Sequence, residues 1–202
     1  MIKKSDTLFE LNCKDYSEYC GVDEAGRGPI AGPLIIVGVV LKKDIKGLRD
    51  SKKLTPKQRE DLYIKIKNSA NYYIYEASSK KIDEIGLSRV IKDGLESIKN
   101  HFKDRKVVFD GNSSFGVKDI EYVVKGDDKI DSIKAASIIA KVHRDNLMLE
   151  YDKIYPEYGF RNHKGYGTKA HLEAISKYGY CKIHRRSFKI KLLTTQSHLQ
   201  IL

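Results

Sequence analysis

Two adjacent carboxylates and a glycine-rich turn lie near the start of this 202-residue chain. Asp23 and Glu24 end a short apolar segment, and Gly26, Arg27 and Gly28 follow them. Glycine permits tight turns and close approach of a ligand to the backbone, and arginine carries a planar fork of donors that suits phosphate. Since successive side chains of a strand point to opposite faces, both acids can serve one site only if the strand ends there. The pattern indicates an acidic site beside accessible backbone, although a solvated acid pair before an ordinary turn has the same sequence.

Two further acids stand at similar points along the chain. Asp110 ends a second apolar run and precedes Gly111, and Asp127 lies between a third run and a long helical pattern. Because ligand sites gather at strand ends in α/β sheets, neighbouring strands would bring these acids together with Asp23. The alternatives are a plain turn residue at Asp110 and a favourable charge near the helix N-terminus at Asp127.

A cluster of carboxylates has a chemical consequence. Like charges repel one another and raise the pKa of each acid unless cations lie between them. Hard oxygen ligands suit Mg²⁺ or Mn²⁺, and two such ions about 4 Å apart activate water and stabilise the leaving oxygen in phosphodiester hydrolysis. If the acids converge, we therefore expect a two-metal site.

The chain is strongly basic, with 38 Lys and Arg against 27 Asp and Glu and a formal net charge of +11. This charge favours a polyanionic partner, most often nucleic acid, although a lysine-rich proteome would also produce it. The three cysteines lack CxxC spacing, which argues against a disulfide framework and suits a reducing cytosol. No apolar run reaches the roughly 18 residues of a membrane helix, and no signal peptide is recognisable. We therefore expect a cytoplasmic protein without a membrane contact.

Other chemical signatures do not fit the sequence. The segment 26–32 has neither the Lys-Ser/Thr pair of a phosphate-binding loop nor the spacing of a dinucleotide-binding turn. The six histidines are scattered, which argues against a zinc site, and no serine stands in a nucleophile elbow.

Strands and helices alternate in the predicted order of elements, which favours an α/β domain with a mixed sheet. We expect a loose extension at 1–17, a catalytic domain over 18–202, and a helical C-terminal part from about 168 to 202 packed on that domain. A continuous β-branched run predicts a buried second strand, and a small, apolar middle predicts that the longest helix is buried. The predicted strands are 19–24, 34–41, 72–77, 106–112 and 120–124, and the predicted helices are 56–68, 79–85, 87–103, 131–151 and 168–178.

Several motifs follow one another over about residues 19–190. They are Gly21–Pro29, Asp50–Leu54, Asp110–Gly111, Lys125–Asp127, Ala135–Val142, His163–Thr168 and His184–Phe188. Any one of these motifs is a weak signal, whereas the set in this order is highly specific. Together they resemble bacterial ribonuclease HII, the type 2 ribonuclease H family. The resemblance implies a ribonuclease-H-like fold, with a five-stranded mixed sheet flanked by helices and a helical C-terminal part.

The resemblance also implies an activity and a set of site residues. The activity is that of an Mn²⁺- or Mg²⁺-dependent endonuclease, which hydrolyses the RNA strand of RNA–DNA hybrids. Such an enzyme also nicks duplex DNA on the 5′ side of embedded ribonucleotides and leaves 3′-hydroxyl and 5′-phosphate ends. The expected catalytic and metal-binding residues are Asp23, Glu24, Asp110 and Asp127. The expected substrate-binding residues are Gly26, Arg27, Gly28, Ser51, Lys52, Lys53, Lys164, Tyr166, Arg185 and Arg186.

Physical reasoning agrees with these roles. The 2′-hydroxyl separates RNA from DNA at a given position, and reading it needs backbone close to the sugar, which Gly26 and Gly28 permit. Tyr166 can stack on a sugar and donate a hydrogen bond, and its alternative is a core aromatic. The lysines and the arginines near the C-terminus would add affinity that is independent of sequence and falls with salt.

Two other classes of protein fit parts of the same pattern. One is a non-catalytic nucleic-acid-binding module, against which the complete set of four acids argues. The other is a different ribonuclease-H-like nuclease, such as a resolvase, which would cut substrates that lack ribose. If the protein is the ribonuclease that the resemblance implies, we expect a monomer whose partners are RNA–DNA hybrids and ribonucleotide-containing duplex DNA. A sliding-clamp contact is left open by the sequence.

Overall fold

The computed structural model describes residues 18–49 and 51–190 of the chain. The predicted extension at 1–17 and the tail from 191 onward lie outside the described residues, so the predicted domain boundaries stay predictions. The chain divides into two compact units. Among the described residues, the first comprises 18–25, 36–75 and Ile91–Val142, and the second comprises Gly26–Ile35, Glu76–Val90 and 143–190.

Five strands form one sheet within the described residues. They are β1 (Tyr19–Ala25), β2 (Leu34–Leu41), β3 (Ala70–Ala77), β4 (Lys106–Asp110) and β5 (Ile120–Val123). Their order across the sheet is β3-β2-β1-β4-β5, and β4 pairs in parallel with both β1 and β5. The mixed sheet with flanking helices confirms the predicted fold class.

The α-helices of the described residues follow the predicted pattern closely. They are α1 (Pro56–Ser69), α2 (Ser79–Ile85), α3 (Leu87–His101), α4 (Asp131–Ile154), α5 (Phe160–His163) and α6 (Lys169–Tyr178). Short 3₁₀ helices occupy Ser51–Lys53, Gly126–Asp128 and Pro156–Tyr158. The start of α1 is fixed by reciprocal hydrogen bonds between Thr55 and Gln58, with Pro56 in the first turn.

The core follows from the two apolar segments that the sequence marks as buried. Every residue of β2 is buried, as expected for a continuous β-branched run. The middle of α4, at 135–140, is buried as well. Its alanines permit close packing, because they add little width to the helix.

Two local differences from the predicted elements matter for the site. β1 continues through Ala25, so the strand does not end at Glu24. The segment 159–168, for which the sequence predicted no helix, contains α5. Both residues that border α5 are left-handed, with φ of 68° at Gly159 and 50° at Lys164, and the helix has only four residues and no side-chain cap at its start.

None of the helices in the described segments combines the length and apolar character needed to cross a bilayer.

Candidate active site

Three carboxylates come together where β4 ends. Asp23 of β1, Asp110 of β4 and Asp127 of the following 3₁₀ helix each place a carboxylate oxygen within 4.8 Å of the other two. Asp23 and Asp127 are buried, and Asp110 is half-buried. Acids that are far apart in the sequence therefore form one cluster in the first unit.

Strand register accounts for the meeting of Asp23 with Asp110. The parallel pairing of β1 with β4 aligns Tyr19 with Lys106 and Val22 with Phe109, so that the partner number is always 87 higher. One step further along this register, Asp23 stands beside Asp110. The two acids lie at the same edge of the sheet because parallel strands end on the same side.

Backbone hydrogen bonds draw the third acid towards Asp110. Asp110 Oδ1 accepts from the Gly126 N–H at 3.1 Å, and Oδ2 accepts from the Asp127 N–H at 3.4 Å. Lys125 has a left-handed φ of 58°, which turns the chain into the 3₁₀ helix. The Asp110 carboxylate thus fixes the backbone that carries Asp127.

The first part of α4 packs closely on β1 and supports Asp23. A Cβ atom at Gly21 would lie 2.4 Å from the Ile133 nitrogen, so glycine is required for this approach. Further along α4, the Ser137 hydroxyl hydrogen-bonds Asp23, and its oxygen lies 2.9 Å from Ser51 Oγ. A pair of hydroxyls therefore connects Asp23 to the segment that was predicted to contact phosphate.

The electrostatic surroundings of Asp23 are those of a cation site. Burial raises the pKa of Asp23 well above its ordinary value, and the carboxylates of Glu24 and Asp110 raise it further. Hydrogen bonds from Ser137 and from the Glu24 N–H, at 2.7 Å, lower the pKa only in part. A divalent cation fits this donor set, because it would neutralise oxygen ligands that otherwise repel one another.

Glu24 lies near this cluster without belonging to it. Its charge acts on Asp23, but it is not among the residues whose oxygens lie within 4.8 Å of one another. Since β1 continues through Ala25, the adjacent Asp23 and Glu24 still alternate between the faces of the sheet. The role of Glu24 as a fourth metal ligand stays a prediction.

The segment Ser51–Lys53 differs in part from its predicted role at the phosphate backbone. Ser51 is buried and its hydroxyl contacts Ser137, so it lacks the accessibility that the predicted phosphate contact needs. Lys53 is exposed and forms an ion pair with Asp128, with which a phosphate would compete. The side chain of Lys52 lies outside what the structure describes.

In the second unit, the two glycines of the turn after β1 are present for different reasons. Gly26 has a φ of 102°, and a Cβ atom there would lie 2.3 Å from Arg144 Nε, so the fold requires glycine. Gly28 is exposed, and a Cβ atom there would meet only Tyr166 Cε1, at an ordinary contact distance of 3.8 Å. The fold does not require glycine at 28, and the space beside Tyr166 is open to a ligand.

Backbone hydrogen bonds hold Tyr166 next to this turn. The N–H groups of Ile30 and Ala31 both donate to the Gly165 carbonyl, at 2.9 and 3.2 Å. The Tyr166 side chain is 49% exposed, which excludes the alternative of a core aromatic. The tyrosine is thus available to a ligand that approaches Gly28.

The basic residues of the second unit differ in their accessibility. Arg186 is exposed, and Lys164 is half-buried with its ammonium group on the Arg161 carbonyl. Arg27 is half-buried, and its Nε and Nη2 atoms are inaccessible to solvent. Of these, Arg186 is the side chain best placed for a phosphate contact.

Arg185 does not have the accessibility that its predicted phosphate contact needs. It is 0% exposed and donates to the carbonyls of Gly26, Arg27 and Gly32 at 2.7, 3.2 and 2.9 Å. Arg144, which the sequence analysis missed, is also buried and holds the same loop. No sequence signal distinguishes Arg144, because Lys141, His143 and Asp145 stand close to it in α4. Both guanidinium groups serve the turn from within the protein.

The fold and the acidic cluster together define a class of protein. A mixed sheet that gathers carboxylates where its parallel strands end is the arrangement of ribonuclease-H-like nucleases. The chain belongs to the ribonuclease HII family, whose family model matches residues 20–191. The protein is therefore a ribonuclease H, an endonuclease that acts on nucleic acid.

Curated relatives are similar over most of their length. A ribonuclease HII from Sulfurovum sp. is 56% identical over 172 residues, which is 85% of this chain and 92% of that protein. A ribonuclease HII from Campylobacter concisus is 51% identical over 91% of this chain and 99% of that protein.

Solved structures share the fold. The ribonuclease H2 from Pyrococcus horikoshii is 30% identical with a TM-score of 0.74, over 91% of this chain and 99% of that one. The ribonuclease HII of Archaeoglobus fulgidus, solved in complex with PCNA, is 24% identical with a TM-score of 0.75, over 86% and 96% of the two chains. A ribonuclease HIII named Bst-RNase HIII, solved in complex with Mn²⁺, is 13% identical with a TM-score of 0.64, over 89% of this chain and 70% of that one. The last two likenesses concern the fold alone.

Proposed function

We propose that this ribonuclease H depends on Mn²⁺ or Mg²⁺, cleaves the RNA strand of RNA–DNA hybrids and nicks duplex DNA 5′ of embedded ribonucleotides. Its products would carry 3′-hydroxyl and 5′-phosphate ends. The observation that carries the proposal is the meeting of Asp23, Asp110 and Asp127 oxygens within 4.8 Å. Acids so close together and so little exposed call for a cation, and oxygen donors suit these two metals.

The chain's own residues would hold and orient the metal ligands. Asp23, Asp110 and Asp127 would bind the ions, and Glu24 would complete the set. The chemistry that paired divalent cations supply at such a site is activation of water and stabilisation of the leaving oxygen. Ser137 fixes Asp23, and backbone N–H groups of the 3₁₀ helix fix Asp110, so the ligands are oriented before substrate arrives.

The turn at Gly26–Gly28 and Tyr166 would examine the sugar at the RNA-to-DNA junction. Support comes from the exposure of Gly28, the open space in front of it and the half-exposed tyrosine ring. Backbone N–H groups and a phenol can hydrogen-bond a 2′-hydroxyl, which a deoxyribose lacks. Lys52, Lys53, Lys164 and Arg186 would contact phosphates and add affinity without sequence preference.

The protein would act as a monomer in the cytoplasm, where its nucleic acid substrates lie. The PCNA complex of the Archaeoglobus fulgidus protein makes a sliding clamp a partner to test. Gel filtration of the chain with and without a bacterial clamp tests the oligomeric state and the clamp contact. Without the clamp, a monomer elutes at a mass of 23.1 kDa.

A labelled duplex with one ribonucleotide tests the proposed activity. With Mn²⁺ or Mg²⁺ we expect a single nick 5′ of the ribonucleotide, and with EDTA no nick. An all-DNA duplex of the same sequence should stay intact. Cutting of that duplex at a similar rate would indicate a different ribonuclease-H-like nuclease, and binding without cutting would indicate a non-catalytic module.

Asp110→Asn tests the assignment of the acidic cluster. We expect cleavage to be abolished, because the variant removes a charged metal ligand. Hybrid binding should remain largely intact, because the basic surface is unchanged. Full cleavage activity in this variant would refute the site.

A further inference from the structure

Two buried arginines lie behind the glycine turn of the second unit. Arg185 is 0% exposed and Arg144 is 2% exposed. Removing a guanidinium group from water costs several kcal/mol unless hydrogen bonds and nearby charges offset that cost. The hydrogen-bond partners of these two side chains therefore indicate why they are buried.

Both guanidinium groups donate to main-chain carbonyls of one loop. Arg185 binds the carbonyls of Gly26, Arg27 and Gly32 through Nη2, Nη1 and Nε. Arg144 binds the carbonyls of Pro33 and Ala31, at 3.0 and 3.1 Å, through Nε and Nη2. Five carbonyls between positions 26 and 33 thus point towards the two arginines.

Because the peptide bond is planar, the hydrogen bonds that hold these carbonyls also fix the direction of the neighbouring N–H groups. In a trans peptide, the N–H of the next residue points opposite to the carbonyl. The Gly26 carbonyl faces Arg185, so the N–H of Arg27 points away from it. The Arg27 carbonyl faces Arg185 as well, so the N–H of Gly28 also points away. The N–H groups of Arg27 and Gly28 therefore lie on the side of the turn opposite to Arg185.

The residues around this loop fix the same arrangement. A Cβ atom at Gly26 would collide with Arg144, so the loop lies directly on that side chain. The Arg185 N–H donates to the Ile30 carbonyl at 2.8 Å, and the Gly32 N–H donates to the Ile183 carbonyl at 2.8 Å.

We propose that Arg185, with Arg144 beside it, is a positioning residue for recognition of the ribose. It sets the direction of the N–H groups of Arg27 and Gly28, and so determines how strongly the turn prefers a ribonucleotide over a deoxyribonucleotide. This inference rests on the proposed function of the turn. A lysine cannot replace either arginine in this role, because a single ammonium group lacks the planar fork that holds several carbonyls.

The test measures preference for ribose as a ratio. Dissociation constants are determined for a duplex with one ribonucleotide and for the same duplex in DNA alone, with Ca²⁺ replacing Mn²⁺ to suppress cleavage. In parallel, kcat and KM are measured for the ribonucleotide duplex with Mn²⁺. Arg185→Lys should lower the affinity ratio roughly tenfold, the effect of about one well-oriented hydrogen bond. Its affinity for the all-DNA duplex should stay at the wild-type level.

Ile175→Val is the matched control for a purely structural role. Ile175 is buried in the apolar cluster of the second unit, and the variant removes one methylene group from it. It should lower the unfolding temperature and leave the affinity ratio unchanged. If Arg185→Lys behaves in the same way, with lower stability and an unchanged ratio, the inference is wrong.

Arg144→Lys keeps the test decisive if Arg185→Lys does not fold. Arg144 holds the Ala31 and Pro33 end of the same loop, so its variant should also reduce the ratio. An unchanged ratio in folded Arg144→Lys would then overturn the inference. A wild-type protein that cannot distinguish the two duplexes would overturn the proposed function, and this inference with it.

Discussion

Gly26 and Gly28 differ in what an added methyl group would meet, and this difference gives a prediction at the residue scale. Gly26→Ala should destabilise the fold by about 2 kcal/mol, because φ is 102° and Arg144 fills the space. Gly28→Ala should leave the unfolding temperature almost unchanged but reduce the preference for ribose, since the methyl group enters the space in front of Tyr166. Thermal unfolding and competitive cleavage measure the two effects. Equal ribose preference in Gly28→Ala and wild type would contradict the assignment.

Ser137 gives a second prediction at the residue scale. Its hydroxyl bonds Asp23 and lies 2.9 Å from Ser51 Oγ, so Ser137→Ala leaves Asp23 less firmly oriented. We expect the Mn²⁺ concentration for half-maximal cleavage to rise several-fold, and stability to fall by about 1 kcal/mol. Ser51→Ala is the control, because it removes the second hydroxyl and keeps the bond to Asp23. A metal requirement that shifts equally in both variants would place the effect elsewhere.

At the scale of elements, two hydrogen-bonded histidines connect α6 to the segment that follows it. The Cys181 N–H donates to His184 Nδ1 at 2.9 Å, and His184 Nε2 lies 3.0 Å from His171 Nε2. His171 Nδ1 is 2.9 Å from the Tyr166 carbonyl, to which it donates. Both rings are then neutral, with one N–H each. Burial lowers the pKa of each, from 6.5 to about 4.

The two hydrogen-bonded histidines predict how the free energy of unfolding depends on pH. Between about pH 6.5 and 4 these two histidines bind protons in the unfolded chain but not in the folded chain, so their contribution to stability is complete above this window and falls as the pH is lowered through it. Urea unfolding at pH 7 and pH 4.5 measures the effect. His184→Gln should lose less stability between these values than wild type. Ile175→Val, which removes no titratable group, is the control and should keep the wild-type dependence. An unchanged pH dependence in His184→Gln would contradict the prediction.

The elements were predictable wherever a local pattern decides the structure. Thr55 and Pro56 marked the start of α1, and the apolar runs marked β2 and β4. The short helix α5 was missed because four residues are too few to show a helical period, and Gly159 at its start provides no side-chain cap. The meeting of Asp23 with Asp110 followed from strand-end reasoning, because parallel neighbours share an edge.

Other features of the site could not be predicted from the sequence, because they depend on tertiary packing. Nothing in the sequence distinguishes the buried Arg185 from the exposed Arg186, since the two are adjacent and of the same type. Ser51 likewise follows no burial pattern, and its partner Ser137 is 86 residues away. Burial of isolated polar residues depends on which elements pack over them, and short-range periodicity does not encode that.

At the scale of the whole molecule, the net charge of +11 predicts how binding responds to salt. Affinity for any duplex should fall steeply from 50 to 200 mM salt, by roughly a thousandfold if about six phosphates are contacted. The ratio of affinities for ribonucleotide-containing and all-DNA duplexes should stay constant, because hydrogen bonds to the sugar release no counterions. Fluorescence anisotropy across this salt range measures both. A ratio that falls together with the affinity would show that charge, and not the turn, provides the preference.

The shared register of β1 and β4 constrains how the chain can be engineered. Because side chains alternate along a strand, a one-residue slip would turn Asp110 to the opposite face of the sheet. Lengthening the connection at 103–105 leaves the face to which Asp110 points unchanged. Deleting Val108 would turn Asp110 to the opposite face. Loop grafts and peptide-tag insertions are therefore compatible with an intact nuclease only where they fall between strands, and a one-residue deletion within β1 or β4 should remove cleavage because it separates Asp23 from Asp110.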